Sequence, residues 1–171
     1  PTRRSSDLPE KDLILEYGCS IGLMTSFLAD YHSTVFGIDR SYSAISIAKK
    51  THMKNLDYFV ADSLSPLFGK TKFDLILALN VLELIEPLQL LKHISKQIKK
   101  GFFVVSDPYY FERGKNSVSY PLDEISLRKN LVDLGFSISD KTKKPSYYPW
   151  NLKFSSRSTL NYKVDFVLAK K

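Results

Sequence analysis

The chain has 171 residues, 43% hydrophobic and 25% charged, enough apolar material to bury one core and too much for a chain that stays unfolded. No apolar run approaches the ~20 residues that span a bilayer, and no secretory signal pattern is seen. The formal net charge of +7 admits an anionic partner, nucleic acid or a membrane surface, although Lys49, Lys50, Lys96, Lys99 and Lys100 fall near helix ends, where cations favour the dipole. The single cysteine, Cys19, cannot form an internal disulfide and agrees with a reducing, cytoplasmic setting. Together with three scattered histidines it makes no metal-ligand cluster, so no metal is expected.

Pro1 is not a start residue, and Pro1 to Leu8 match no pattern that follows. Residues 1–8 read as a non-native or disordered leader, with a genuine basic linker as the alternative. The expectation is one domain over 9–171, truncated at its N-terminus.

The first apolar run, Leu13-Ile14-Leu15, ends on the carboxylate of Glu16. Gly18-Cys19-Ser20-Ile21-Gly22 follows, then a helical pattern to about Tyr31, with Ile21, Leu23, Met24, Phe27 and Leu28 as its inward face and Ser20 as its cap. Thr34 to Asp39 is a second strand, followed by a helix capped by Ser41 with Ala44, Ile45, Ile47 and Ala48 facing in. Leu56 to Ala61 is a third strand, ending at Asp62-Ser63. Pro66 and Gly69 break the loop after it. Phe73 to Asn80 is almost continuously apolar, as expected of a strand buried on both faces.

Pro87 opens a helix with Leu88, Leu91, Ile94 and Ile98 as its stripe and Gly101 as its stop. Phe102 to Ser106 is a fifth strand, and Asp107 to Pro121 a long loop. Leu122 to Leu134 is helical, Phe136 to Ser139 a short strand, and Leu160 to Ala169 a final one. The last two strands lack a helix between them and are expected to pair antiparallel. The fold class is α/β: a doubly wound, mostly parallel seven-stranded sheet, helices on both faces, with an antiparallel last strand.

Ligands of such sheets bind where the carboxyl ends of strands meet helix N-termini. A dinucleotide fingerprint needs a third glycine where this chain has Leu23, and Glu16 would repel a diphosphate. A carboxylate there suits a ligand carrying an ammonium and a sulfonium. Asp39, about 17 residues past Gly22, can accept both hydroxyls of a ribose, or cap the next helix. The E-x-G-x-[GS]-x-G arrangement of Glu16 to Gly22 resembles motif I of the class I S-adenosylmethionine-dependent methyltransferases. Leu79-Asn80-Val81-Leu82-Glu83-Leu84-Ile85 resembles that family's Asn-Val-Leu-Glu-His segment, with Leu84 where histidine is common. For Leu84 and Ile85, core packing is the expectation.

The resemblance implies strand order 3-2-1-4-5-7-6 and S-adenosyl-L-methionine as cofactor. It implies cofactor contacts from Glu16, Gly18, Cys19, Ser20, Gly22, Asp39, Arg40, Asp62, Ser63, Asn80 and Val81, with Asp62 on the adenine amino group. The implied activity is methyl transfer to a small-molecule acceptor.

Acceptor-side candidates are Asp107-Pro108-Tyr109-Tyr110-Phe111-Glu112-Arg113, with Asp107 as a base or instead orienting a tyrosine, and Tyr109 beside it. A second set is Tyr147, Tyr148 and Trp150, able to stack a planar acceptor or to form a lid; Arg157 is a further candidate for a substrate carboxylate. Asp107-Pro108-Tyr109-Tyr110 follows the wrong strand for the Asp-Pro-Pro-Tyr motif of nucleic-acid amino methylation. The rival readings are an RNA or protein methyltransferase and a non-catalytic cofactor-binding subunit.

Overall fold

A computed structural model describes residues 12–114, 118–153 and 155–171. The residues read as a leader, 1–8, and the side chain of Arg113 lie outside what is described. The elements in chain order are β1 (Leu13–Tyr17), α1 (Leu23–Ala29), β2 (Thr34–Asp39), α2 (Tyr42–Ala48), β3 (Leu56–Val60), β4 (Leu75–Leu79), α3 (Pro87–Gln97), β5 (Phe102–Asp107), α4 (Glu124–Asp133), β6 (Ser137–Ile138), β7 (Tyr148–Lys153) and β8 (Thr159–Lys170).

The sheet runs β3-β2-β1-β4-β5-β8-β6, with β1 to β5 parallel and β8 antiparallel to β5 and β6. Among the described residues it has eight strands, not seven. The extra one is β7, over a stretch including Tyr148 and Trp150 where no strand was expected. It pairs with Thr159–Val164, the first half of β8, while Asp165–Lys170 pair with β5. β8 is therefore long enough to serve two partners, and its free half projects as a hairpin.

The helices bury less than their apolar spacing suggests. In α1 the inward residues are Thr25, Leu28 and Ala29, while Leu23 is 73% and Phe27 54% exposed. The reason lies across the interface: α1 sits so close to β2 that a Cβ on Gly37 would lie 3.0 Å from Thr25 Cγ2 and 2.9 Å from Cys19 Sγ. Only small side chains fit there, and Thr25 also supplies a hydroxyl to the buried Glu16. Leu23, turned outward, places no bar on this approach. Ser20 does not cap α1; the N-cap position is Gly22.

In α2, Ile45 and Ala48 are buried and Ile47 is exposed. The expected Ser41 cap is present, accepting from the Ala44 amide at 3.2 Å. α3 ends at Gln97 rather than near Gly101, because Ile98 is extended. α4 is capped by Asp123, whose carboxylate and Ser126 form a reciprocal capping box. The main core lies between α3, α4 and the sheet, with Leu82, Leu90, Leu91, Ile94, Phe103 and Leu131 at its centre. Each such side chain contributes roughly 1.5–3 kcal/mol on burial, so this face anchors the sheet edge from which the site is built.

Candidate active site

The turns after β1, β2, β3 and β4 open on one cleft of about 720 Å³ at the carboxyl ends of the strands. Gly18, Ser20, Asp39, Arg40, Asp62, Ser63, Asn80 and Val81 all line it. Its volume is in the range of small-molecule pockets, roughly 300–1,000 Å³.

The backbone around the cleft is held in unusual conformations. Gly18 has φ 67°, and a Cβ there would lie 2.2 Å from Val81 Cγ1, so neither the conformation nor the space admits a side chain. Ser20 and Asn80 also have positive φ, at 50° and 56°. For non-glycine residues such geometry is sparsely populated and clusters at ligand sites. Both are held by long-range bonds: the Ser20 amide donates to Asp39 at 2.9 Å, and the Asn80 amide to the Ser106 carbonyl at 2.7 Å. Asp39 also accepts from the Ser41 amide at 2.8 Å. Asp62 accepts from the Leu64 amide at 2.7 Å, which turns the chain after β3 back over the cleft.

Three of the expected cofactor residues do not line the cleft. Glu16 is buried behind the turn, accepting the Thr25 hydroxyl at 2.5 Å. Burial pushes its carboxyl up to about 7, and the neighbouring Asp39 charge adds to this. Cys19 packs between Gly37 and the turn; burial, with Glu16 and Asp39 nearby, raises its thiol to about 12 and leaves it unreactive. Gly22 is the N-cap of α1, and its carbonyl accepts from the Tyr58 hydroxyl at 3.0 Å.

The two residues read as catalytic are also not among the lining residues. Asp107 is fully buried, accepting from the Leu82 amide at 2.9 Å and the Tyr109 amide at 2.9 Å. Burial pushes its carboxyl up to about 7, the nearby Glu83 carboxylate contributing. The Tyr109 hydroxyl donates to Asp165 at 2.9 Å, and burial with the Asp165 charge raises it. Asp165 is the centre of a buried network. Arg128 grips it with Nη1 at 2.5 Å and Nη2 at 3.0 Å, and the Ser146 amide donates to it at 2.9 Å. Burial opposes ionisation of Asp165, but these donors outweigh it and hold the carboxyl below its usual range.

The far end of the cleft is lined by Leu84, Ile85, Glu86, Gln89, Ser119 and Trp150. Leu84 and Ile85, expected in the core, are half-buried and line the cleft, because the chain turns at Asn80 and carries them along the rim before α3 begins; Ile85 also packs against the main core, as expected. Trp150 comes from β7, its ring tilted against Tyr162 of β8 with centroids 5.3 Å apart, and the Tyr110 ring also lies 6.0 Å from that of Tyr162. Tyr147 and Tyr148 are exposed, and neither they nor Arg157 line the cleft. Glu86, Gln89 and Ser119 were not singled out from the sequence. Glu86 alone carried a signal, a carboxylate directly before the Pro87 helix start.

Among the described residues, no helix is long and apolar enough to cross a membrane. The family profile described as "Methyltransferase domain" matches residues 15–105. The ubiquinone biosynthesis O-methyltransferase of Pelagibacter ubique is 38% identical over 103 residues, covering 57% of this chain and 42% of that protein. Its namesake from Coxiella burnetii is 30% identical over 92 residues, covering 52% and 39%. The chain thus spans about two fifths of the length of these relatives.

The magnesium protoporphyrin IX methyltransferase of Synechocystis PCC 6803, solved with bound S-adenosylmethionine, superposes with a TM-score of 0.67. That match covers 94% of this chain and 70% of that one at 19% identity, a likeness of fold. With the strand order, the convergence of four post-strand turns and the profile match over more than half its length, the chain belongs to the class I S-adenosylmethionine-dependent methyltransferase family.

Proposed function

We propose that this chain binds S-adenosyl-L-methionine in the cleft and methylates a hydroxyl of a small-molecule acceptor. The observation that carries the reading is the meeting of Gly18, Ser20, Asp39, Asp62 and Asn80 at one opening. A carboxylate oxygen can take two hydrogen bonds, so Asp39 can accept ribose hydroxyls while still holding the Ser20 and Ser41 amides. Asp62, exposed and lining the cleft, would accept from an adenine amino group. The turn at Gly18 and the loop at Asn80–Val81, which both line the cleft, would take the amino-acid end. The polar rim suits a nucleoside at one end, and the mixed far end, with Leu84, Ile85 and Trp150 beside Glu86, Gln89 and Ser119, suits an acceptor at the other.

The cofactor, when bound, supplies an already activated methyl group. The chain's part is then to align an acceptor and exclude water, which can account for roughly 7–11 kcal/mol of a barrier. Asp107 and Tyr109 serve as positioning residues in this reading. Asp107 ties the loop after β4 to the loop after β5, and Tyr109 ties that loop to β8. Glu16 holds α1 beneath the turn through Thr25. The names of the curated relatives favour a hydroxyl acceptor and a small molecule over RNA or protein. A reducing, cytoplasmic setting agrees with the lone buried thiol of Cys19.

Calorimetric titration with S-adenosylhomocysteine tests the reading. A saturable heat with this product, and none with a nicotinamide dinucleotide, is expected. The opposite pattern would overturn it.

A further inference from the structure

Glu86 occupies an unusual position. It is the N-cap residue of α3, yet its side chain makes no capping bond to that helix. Instead it lines the far end of the cleft with Leu84, Ile85 and Trp150. Its Oε2 is held by the Ser119 amide at 2.8 Å. Its Oε1 is shut off from water and receives no hydrogen bond from the described residues. A carboxylate oxygen in that state carries a desolvation cost that a donor would remove. The last torsion of a glutamate side chain is broad, so the carboxylate can rotate to bring Oε1 toward a donor in the cleft, Oε2 shifting on the Ser119 amide as it does.

We propose that Glu86 selects the acceptor: it takes a hydrogen bond from a hydroxyl or amino group on the edge of a planar, largely apolar molecule that lies against Trp150, and it turns away acceptors that present a carboxylate. The proposal rests on the cleft being the methyl-transfer site described above. The apolar walls Leu84, Ile85 and Trp150 supply affinity for the flat body of the ligand. The carboxylate supplies discrimination in both directions, because a buried acceptor rewards a donor and repels a like charge at close range.

Trp150 is the only tryptophan in the chain, so its fluorescence reports on this end of the cleft alone. The probes are para-phenylphenol, para-phenylaniline, biphenyl and para-phenylbenzoate, titrated against the whole chain and its Glu86→Gln variant with S-adenosylhomocysteine present. For the wild-type chain the phenol or the aniline is expected to bind best and the benzoate worst; whichever of the two donors leads identifies the donor group. Glu86→Gln is expected to lose roughly tenfold for the preferred donor, gain about as much for the benzoate, and leave biphenyl unchanged. A gain for the benzoate cannot come from a misfolded variant. Equal shifts for all four probes, or none for any, would overturn the role of Glu86. Calorimetry with S-adenosylhomocysteine on the same preparations separates the two readings. If the product binds and the probes do not discriminate, Glu86 alone is misassigned; if the wild-type chain fails to bind the product, the cofactor reading falls and this proposal falls with it.

Discussion

The Ser20 amide donates to the Asp39 carboxylate at 2.9 Å, and this bond joins the turn after β1 to the end of β2. It holds Ser20 at φ 50°, a conformation a serine seldom keeps unaided. The same carboxylate holds the Ser41 amide, so one side chain sets the height of two turns at the cleft. Asp39→Ala is therefore expected to weaken S-adenosylhomocysteine binding by more than tenfold while costing only about 1–2 kcal/mol of stability. Calorimetry and thermal unfolding on the same variant separate the two effects, and an unchanged affinity would remove Asp39 from the site.

Glu16 has a folded-state value of about 7 against an ordinary 4.5, set first by burial. The folded chain then holds this proton more tightly than the unfolded one. Its contribution is full below about 4.5 and is lost as the pH rises through about 7. Asp107, raised from 3.8 to about 7, acts in the same direction. Unfolding free energy by urea is expected to fall by a few kcal/mol between about pH 5 and about pH 8. Glu16→Gln keeps an acceptor for Thr25 and is expected to flatten part of that slope. A slope identical to wild type would contradict the burial of the Glu16 charge.

Asp107 accepts two backbone amides from two different loops. In Asp107→Asn the amide group can accept at only one oxygen and confronts the other N–H with a donor. A loss of about 2–3 kcal/mol is expected, because a buried amide is left without a partner. Affinity for S-adenosylhomocysteine should fall as well, since the Leu82 anchor also fixes Asn80 and Val81. A variant with lowered turnover, unchanged stability and unchanged cofactor affinity would instead return Asp107 to the role of a base.

Arg128 and Asp165 are both buried and paired through two nitrogens. Arg128→Met removes the cation and strands the carboxylate, at an expected cost of roughly 3–5 kcal/mol. That corresponds to a fall in Tm of about 10 °C for a chain of this size. The loss should exceed that of Lys143→Met, which breaks the exposed pair with Asp140 and is worth little. Thermal unfolding of the two variants side by side makes the comparison, and equal effects would sink it.

Much of this molecule was legible in its sequence. The alternation of apolar runs with helical spacing placed the five parallel strands, and the carboxylates and small residues at their ends marked the cleft from Gly18 to Val81. These are local properties: strand periodicity, Gly18 where a side chain has no room, an acid at the end of β2. At the acceptor end only Trp150 was legible, as an aromatic able to stack a planar acceptor; Glu86 and Gln89 at the start of α3, Ser119 and Trp150 are distant in sequence from one another as three groups and meet only through the sheet and its hairpin.

Orientation also escaped the sequence. The helical spacing of Leu23, Met24 and Phe27 pointed to an inward face, yet the close approach of α1 to Gly37 and the buried carboxylate of Glu16 turned Thr25 inward instead. Asp107 and Tyr109 looked like reacting groups from their place after β5. Only the packed structure assigned their polar atoms to amides and to Asp165. Periodicity tells which residues share a side of an element. What lies across from that side, how near it comes and which polar groups it must satisfy are decided by contacts between distant parts of the chain.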